Sequence, residues 1–119
     1  MGYYVTCTGE VTLRDGDVPA AFEKLKGHSS IPQWLSHVNE PTFDDLLWSM
    51  FEDTQIDDHT IQFAGCVKWR QDHLDFFEII APFVRDGEVH FIGEDHASEG
   101  YRWTNGVRER LVQTWVVMP

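Results

Sequence analysis

Residues 3–14, "YYVTCTGEVTLR", alternate without a break. Tyr3, Val5, Cys7, Val11 and Leu13 share one parity with Gly9, and Tyr4, Thr6, Thr8, Glu10 and Thr12 share the other. Period two with β-branched residues specifies a strand with one face buried. Such a strand needs neighbours in a sheet and a second layer over its apolar face. Gly9 marks a bulge or a close approach of backbone. "TIQFAGCVKWR" at residues 60–70 repeats the pattern, with Ile61, Phe63, Val67 and Trp69 set against Gln62, Ala64, Cys66, Lys68 and Arg70.

Between and after these strands the period changes to that of helices. "DVPAAFEKLKG" has Asp17 as cap, Pro19 in the first turn, and Val18, Phe22 and Leu25 on one stripe. Pro32 starts a short helical turn carrying Trp34, Leu35 and Val38. Thr42 with Asp45 reads as a capping box, and Phe43, Leu46, Leu47 and Met50 form the buried stripe that follows. "DHLDFFEIIAPFV" is a helix with Asp72 as N-cap, which Pro82 kinks or ends.

"RDG" at residues 85–87 reads as a turn into the strand "EVHFIG". "GEDHASEG" is a connection, in which Glu94 and Asp95 pair with Arg102. Asn105-Gly106 signals a hairpin. A three-residue loop, Thr104-Asn105-Gly106, places Tyr101, Trp103, Val107, Leu111 and Trp115 on one buried face and exposes the arginines, so burial favours that register over a two-residue loop. Trp115 is then a core residue.

The order of elements predicts an α+β fold. Its sheet is antiparallel, of four to five strands, with the main helices, 42–53 and 72–81, on one face, as in ferredoxin-like or split βαβ proteins. Residues 1–119 form a single domain.

Charge narrows the function. The net charge is −11, from 20 acids and 9 bases, which disfavours direct nucleic-acid binding and favours a partner with a basic surface. Between Lys26 and Lys68 there is no Lys or Arg, while Glu40, Asp44, Asp45, Glu52, Asp53, Asp57 and Asp58 all fall there. Asp44, Asp45, Glu52, Asp53, Asp57 and Asp58 are therefore the candidate partner-binding residues.

Chemistry-bearing motifs are absent. Cys7 and Cys66 lie mid-strand and read as reduced thiols of a cytoplasmic protein. His59, His73 and His96 lack the spacing of metal ligands, so no metal or cofactor is expected. No nucleophile elbow, phosphate loop or dinucleotide fingerprint occurs, and no catalytic residue is assigned. No apolar run approaches a membrane span. Gly2 and Thr6 match a myristoylation pattern, but Gly2 reads as the residue before the first strand.

The segment "FFEIIAPFVRDGEVHFIGEDHASEGYRWTNGVRER" resembles small uncharacterised proteins of bacteria and their phages. In those, an Ala-Pro-aromatic-Val helix end precedes a strand, Gly-Glu-Asp, a Trp-Arg type strand and an Asn-Gly or Asp-Gly hairpin. Here Tyr101-Arg102-Trp103 stands where Trp-Arg-aromatic is usual, and "HASE" lengthens the loop. The resemblance implies a bacterial or phage setting and no particular activity.

The resulting expectation is a small acidic protein-binding module, phage-encoded, that modulates or inhibits a host protein, for instance as a decoy of a nucleic-acid-binding site. An immunity-type protein against a basic toxin is one alternative. Another is a small enzyme or ligand-binding domain whose open sheet face carries Thr6, Thr8, Glu10, Gln62, Lys68 and His90.

Overall fold

The computed structural model describes residues 3–95 and 97–112, and the backbone of 116–117. The elements run β1 (Tyr4–Leu13), α1 (Val18–Lys26), a 3₁₀ turn (Ile31–Leu35), α2 (Phe43–Phe51), β2 (Gln55–Asp57), β3 (Thr60–Phe63) and β4 (Cys66–Lys68). They continue with α3 (Gln71–Ile80), a second 3₁₀ turn (Ala81–Phe83), β5 (Val84–Gly93), β6 (Ser98–Thr104), β7 (Val107–Val112) and β8 (Val116–Val117). The fold is α+β. Its antiparallel sheet has eight strands in the order β2-β3-β1-β5-β6-β7-β8, with β4 beside β3 on the same edge of β1.

β1 is central. It pairs with β3 and β4 on one side and with β5 along nearly its whole length on the other. β4 and β5 are both antiparallel to β1, so they run parallel to each other with β1 between them and α3 as their connection. The alternation of β1 does what its parity requires: Val5, Cys7, Val11 and Leu13 are buried. They share one hydrophobic core with Leu25 of α1, Phe43, Leu46, Leu47, Met50 and Phe51 of α2, and Phe76, Phe77 and Ile80 of α3. The helices thus cover one face of the sheet. Phe51 sits edge-on to Phe63, His73, Phe76 and Phe77 at centroid distances between 4.9 and 5.6 Å.

The strand count exceeds four to five for local reasons. The run at 60–70 is cut in two at Ala64-Gly65, because α2 ends against it. A Cβ on Gly65 would lie 1.7 Å from the Phe51 carbonyl oxygen and 2.4 Å from that of Glu52. The Gly65 carbonyl still accepts the Cys7 N–H at 2.8 Å, so the break costs β1 no hydrogen bond there. β2 is an additional strand, joined to β3 by Asp58-His59 with Asp58 in the left-handed region (φ 58).

"RDG" is not a turn. Arg85, Asp86 and Gly87 lie inside β5, whose first residue follows the 3₁₀ turn directly. Gly87 (φ 142) serves a close approach: a Cβ there would be 2.5 Å from the Val11 Cα across the ladder.

The hairpin register also differs from the expectation. Asn105 (φ 51) and Gly106 (φ 83) are both left-handed, so they form a two-residue loop of the type whose twist suits a hairpin. Trp103 pairs with Arg108, and Tyr101 with Arg110. The expectation ignored what an arginine stem can cover. Arg108 lies over the Tyr101 ring at 4.8 Å and reaches Glu78 of α3 at 3.0 Å, so it belongs on the helix-covered face. Leu111 and Val107 take the opposite face. Trp115 lies outside the described residues, as do Gly2 and His96.

The Thr42–Asp45 capping box forms as expected: the Asp45 N–H donates to Thr42 Oγ1 at 3.3 Å and the Thr42 N–H to Asp45 Oδ2 at 2.8 Å. Asp72 is not the N-cap; α3 starts at Gln71 with Arg70 in the cap position, two residues earlier than an Asp72 cap requires. Asp17 precedes α1 without a side-chain capping bond. α3 gives way to a 3₁₀ turn at Ala81, immediately before Pro82.

Gly65→Ala is expected to lower the unfolding free energy by more than ~2 kcal/mol, since two carbonyls block the new methyl. Gly27→Ala, whose methyl would meet nothing closer than 3.5 Å, should be neutral or stabilising by up to about 1 kcal/mol. Urea denaturation of both variants checks the contrast.

Candidate functional site

The six acids singled out from the sequence divide into two groups. Asp44 and Asp45 hold backbone: Asp44 Oδ1 accepts the Ile56 N–H at 2.8 Å, tying α2 to β2, and Asp45 completes the capping box. Glu52, Asp53, Asp57 and Asp58 are exposed. Glu52 (φ 51, ψ 157) and Asp53 (φ 39) form the left-handed corner that the α2–Gly65 contact imposes, and Thr54 Oγ1 donates to the Glu52 carbonyl at 2.7 Å. Asp58 and Asp15 flank His59, at 2.7 Å from Nδ1 and 3.3 Å from Nε2.

No lysine or arginine answers these carboxylates among the described residues. The ion pairs made by Lys or Arg are Lys26–Glu23, Arg85–Asp86, Arg102–Glu88, Arg108–Glu78 and Arg110–Glu99, and none involves residues 40–58. No ion pair neutralises these carboxylates, although Lys68 and Arg70 line one depression with Glu52; the acids lie within reach of one another on the scale of the ~8 Å Debye length at physiological salt only where they cluster, as at 52–53 and 57–58.

The residues proposed for an open sheet face do share one. Thr8 is opposite His90, Glu10 is between Gln62 and Glu88, and Tyr4 is opposite Lys68. At its centre Glu88 accepts from Arg102 Nε at 2.6 Å and meets His90 Nε2 at 2.6 Å. The Arg102 hydrogen bond holds the Glu88 carboxyl below its ordinary pKa, against the opposing effect of burial. Arg102 thus pairs with Glu88 and not with Glu94 or Asp95; register decides this, since Arg102 faces Glu88 directly across the ladder. Asp95 instead accepts from the Tyr3 hydroxyl and from the Ala97 N–H at 3.0 Å.

Asp72, Asp75 and His28 come together where α3 meets the first 3₁₀ turn. They form a group of three metal-capable side chains with donor atoms within 4.8 Å of one another, which the sequence spacing does not reveal. Hydrogen bonding argues for a structural role. His28 Nδ1 accepts the Ser30 N–H at 3.1 Å, which puts the ring proton on Nε2, toward Asp75 Oδ2 at 3.0 Å. To ligate a metal through Nε2 the proton would have to move to Nδ1, where a backbone N–H already points. Asp72 accepts from Ser30 Oγ and, at 2.9 Å, from Trp34 Nε1. Burial alone would raise the Asp72 carboxyl; the two hydrogen bonds and the neighbouring histidines outweigh it and hold the pKa low.

His73 is fully buried. Its Nδ1 accepts the Arg70 N–H at 3.0 Å and its Nε2–H donates to the Met50 carbonyl at 2.6 Å, joining α3 to the end of α2. Trp69 stacks on it at 4.7 Å. Cys7 is buried, and burial pushes its thiol pKa up; Cys66 is exposed, on the opposite face of the sheet, and both are free.

A cleft of about 460 Å³ opens on the helix-side face, lined by Tyr3, Val5, Trp69, Phe91, Glu99 and Val112 among others. Sequence reasoning did not find it, because its walls come from both ends of the chain. A more open depression, also of about 460 Å³, runs past Trp34, His37 and the exposed Trp48 to Glu52.

No family model, curated protein or solved structure matches the chain. No helix is long and apolar enough to cross a membrane among the described residues.

Burial lowers the His73 pKa from 6.5. The unfolded chain then binds the proton more readily, so the His73 contribution is present above pH 6.5 and is lost as pH falls below it. Asp72 titrates in the carboxylate range and leaves that window undisturbed. Between pH ~7.5 and ~5 the wild type should lose more stability than His73→Phe; denaturant midpoints measured across the range check this, and parallel curves would contradict it.

Proposed function

We propose that the protein is a small accessory module that binds a partner with a basic surface and modulates it. One observation carries the reading: the carboxylates of the 52–58 corner are exposed, and every Lys or Arg ion pair among the described residues lies elsewhere. Charge left unanswered over one part of a surface steers association with the opposite charge. A basic nucleic-acid groove is the partner surface that this corner would occupy as a decoy, and a basic toxin bound by an immunity-type protein calls on the same physics. The C-terminal resemblance to bacterial and phage proteins supports a phage-encoded modulator acting on a host protein in the cytoplasm. The free thiols of Cys7 and Cys66 are in keeping with a reducing compartment. For the fold, we infer kinship with split βαβ proteins from the β4–α3–β5 unit around β1.

The alternative, a ligand site on the open sheet face, gains support from the register that aligns Thr6, Thr8, Glu10, Gln62, Lys68 and His90. It loses support from Glu88, which already engages Arg102 and His90 there.

Affinity capture from a bacterial lysate at ~50 mM and ~300 mM salt, with wild type beside Glu52→Lys/Asp53→Lys, tests the proposal. The expected result is a basic protein retained by wild type at low salt, and lost both at high salt and with the double variant. Circular dichroism should show the variant folded, and Glu52→Gln/Asp53→Asn should give intermediate retention. Retention indifferent to salt and to both substitutions would assign the interface to other residues.

A further inference from the structure

The cleft beside Trp69 has walls and a rim of different chemistry. Tyr3, Trp69 and Phe91 supply rings, and Val5 and Val112 supply aliphatic surface. The planes of the rings are fixed: Trp69 is stacked on His73 at 4.7 Å and contacts Phe91 at 5.2 Å, while Phe91 packs on Phe77 at 5.0 Å. Register explains why the cleft is there. Phe91 and Glu99 are opposite one another, as are Glu99 and Val112, so all three side chains rise from the face that the helices cover elsewhere.

The rim is acidic. Glu99 lines the cleft itself, and Asp95 is held there by the Tyr3 hydroxyl. Tyr3 reports the sign of the local field. Its pKa is pushed up to about 12, first by the hydrogen bond to Asp95, then by burial, then by the charges of Asp95, Glu94 and Glu99. Three carboxylates therefore act on one point at the mouth. Among the described residues Arg110 is bound to Glu99 at 3.1 Å, and both partners are about half exposed, so water and salt weaken that pair.

Rings below and carboxylates around the mouth select against most ligands. An anion meets the wrong charge. A bare metal ion finds an aromatic floor in place of a set of oxygen or nitrogen donors. A neutral apolar molecule fills the floor but strips water from the carboxylates without return. A cation with an apolar coat satisfies both parts, because the face of an aromatic ring attracts positive charge. The volume of about 460 Å³ falls in the range of small-molecule sites.

We propose that this cleft binds an alkylammonium group, best a quaternary one, seated against Tyr3 and Trp69 and facing Asp95 and Glu99. The group arrives either on a free small molecule or on a methylated lysine of a partner. The site does not depend on the acidic corner at 52–58, and either can fail without the other.

Three probes test it by NMR at fixed ionic strength, reading the Trp69 indole N–H: choline, its neutral isostere 3,3-dimethylbutan-1-ol, and a short peptide carrying trimethyllysine. Choline is expected to shift that resonance and to bind about tenfold more tightly than the isostere. Glu99→Gln and Tyr3→Leu should each reduce the preference several-fold, while Tyr3→Phe, which keeps the ring, should retain the Trp69 shift. A peptide tighter than choline assigns the group to a protein partner, and a weaker one assigns it to a small molecule; either order supports the site. Equal binding of the isostere, or no shift with choline up to ~100 mM, overturns the proposal. Trp69 itself is left intact, since it packs on His73 and its removal would disturb the fold.

Discussion

A sheet of eight strands with helices on one face only buries nearly all of its large apolar side chains on that side, with Leu111 buried on the other. The other features of the molecule follow from that asymmetry. β1 has to place its large side chains with one parity, and it does so over ten residues with both edges hydrogen-bonded. The three helices concentrate their rings over that parity, and Phe51 becomes the point where α2, α3 and β3 meet. Polar groups caught in the layer look for partners within it, although Trp103 Nε1 is buried without one among the described residues. His73 is the clearest case: each of its ring nitrogens is matched to a backbone group, so a buried imidazole becomes a clamp between two helix ends. Where the helices stop, the same sheet face stays open and lined with rings, and the cleft at Trp69 results.

How far the sequence discloses this depends on whether the deciding interaction is local. The alternation of residues 3–14, the stripe Phe43-Leu46-Leu47-Met50 and the Thr42–Asp45 box involve residues within a few positions of one another, and all take the expected form. The break at Gly65 does not, because its cause is the Phe51 and Glu52 backbone, brought there by the fold. "RDG" reads as a turn for the same reason: Gly87 answers Val11, far away along the chain. Asp72 looked like a helix cap because acids are common there, yet its carboxylate is claimed by Ser30 and Trp34. The candidate acids were legible as a group from the missing bases, but not which of them would be spent on backbone.

The hairpin shows how a sound rule misleads when one term is omitted. Burial favours the three-residue loop only while arginine is counted as polar throughout. An arginine stem is apolar along most of its length, and its head needs only one partner at the edge of the layer. Glu78 supplies that partner, and Tyr101 supplies the surface for the stem. Once Arg108 is admissible on the covered face, the two-residue loop is preferable, since Asn105-Gly106 already has the left-handed backbone it needs.

That assignment also bears on where the net charge of −11 is felt. Arg102, Arg108 and Arg110 all stand on β6 and β7, and each meets a carboxylate there: Glu88, Glu78 and Glu99. Arg85 meets Asp86 on β5, and Lys26 meets Glu23 on α1. Five of the nine bases are thus paired with acids on their own or neighbouring elements, while Arg14, Lys24, Lys68 and Arg70 make no such pair among the described residues. Because strand pairing keeps β2, β3 and the end of α2 on the far side of β1 from β6 and β7, these arginines are separated by β1 and β5 from the hairpin that carries Asp57 and Asp58. The paired arginines stay away from that hairpin, and the bases that the fold does bring to the acidic corner are Lys68 and Arg70, which line one depression with Glu52.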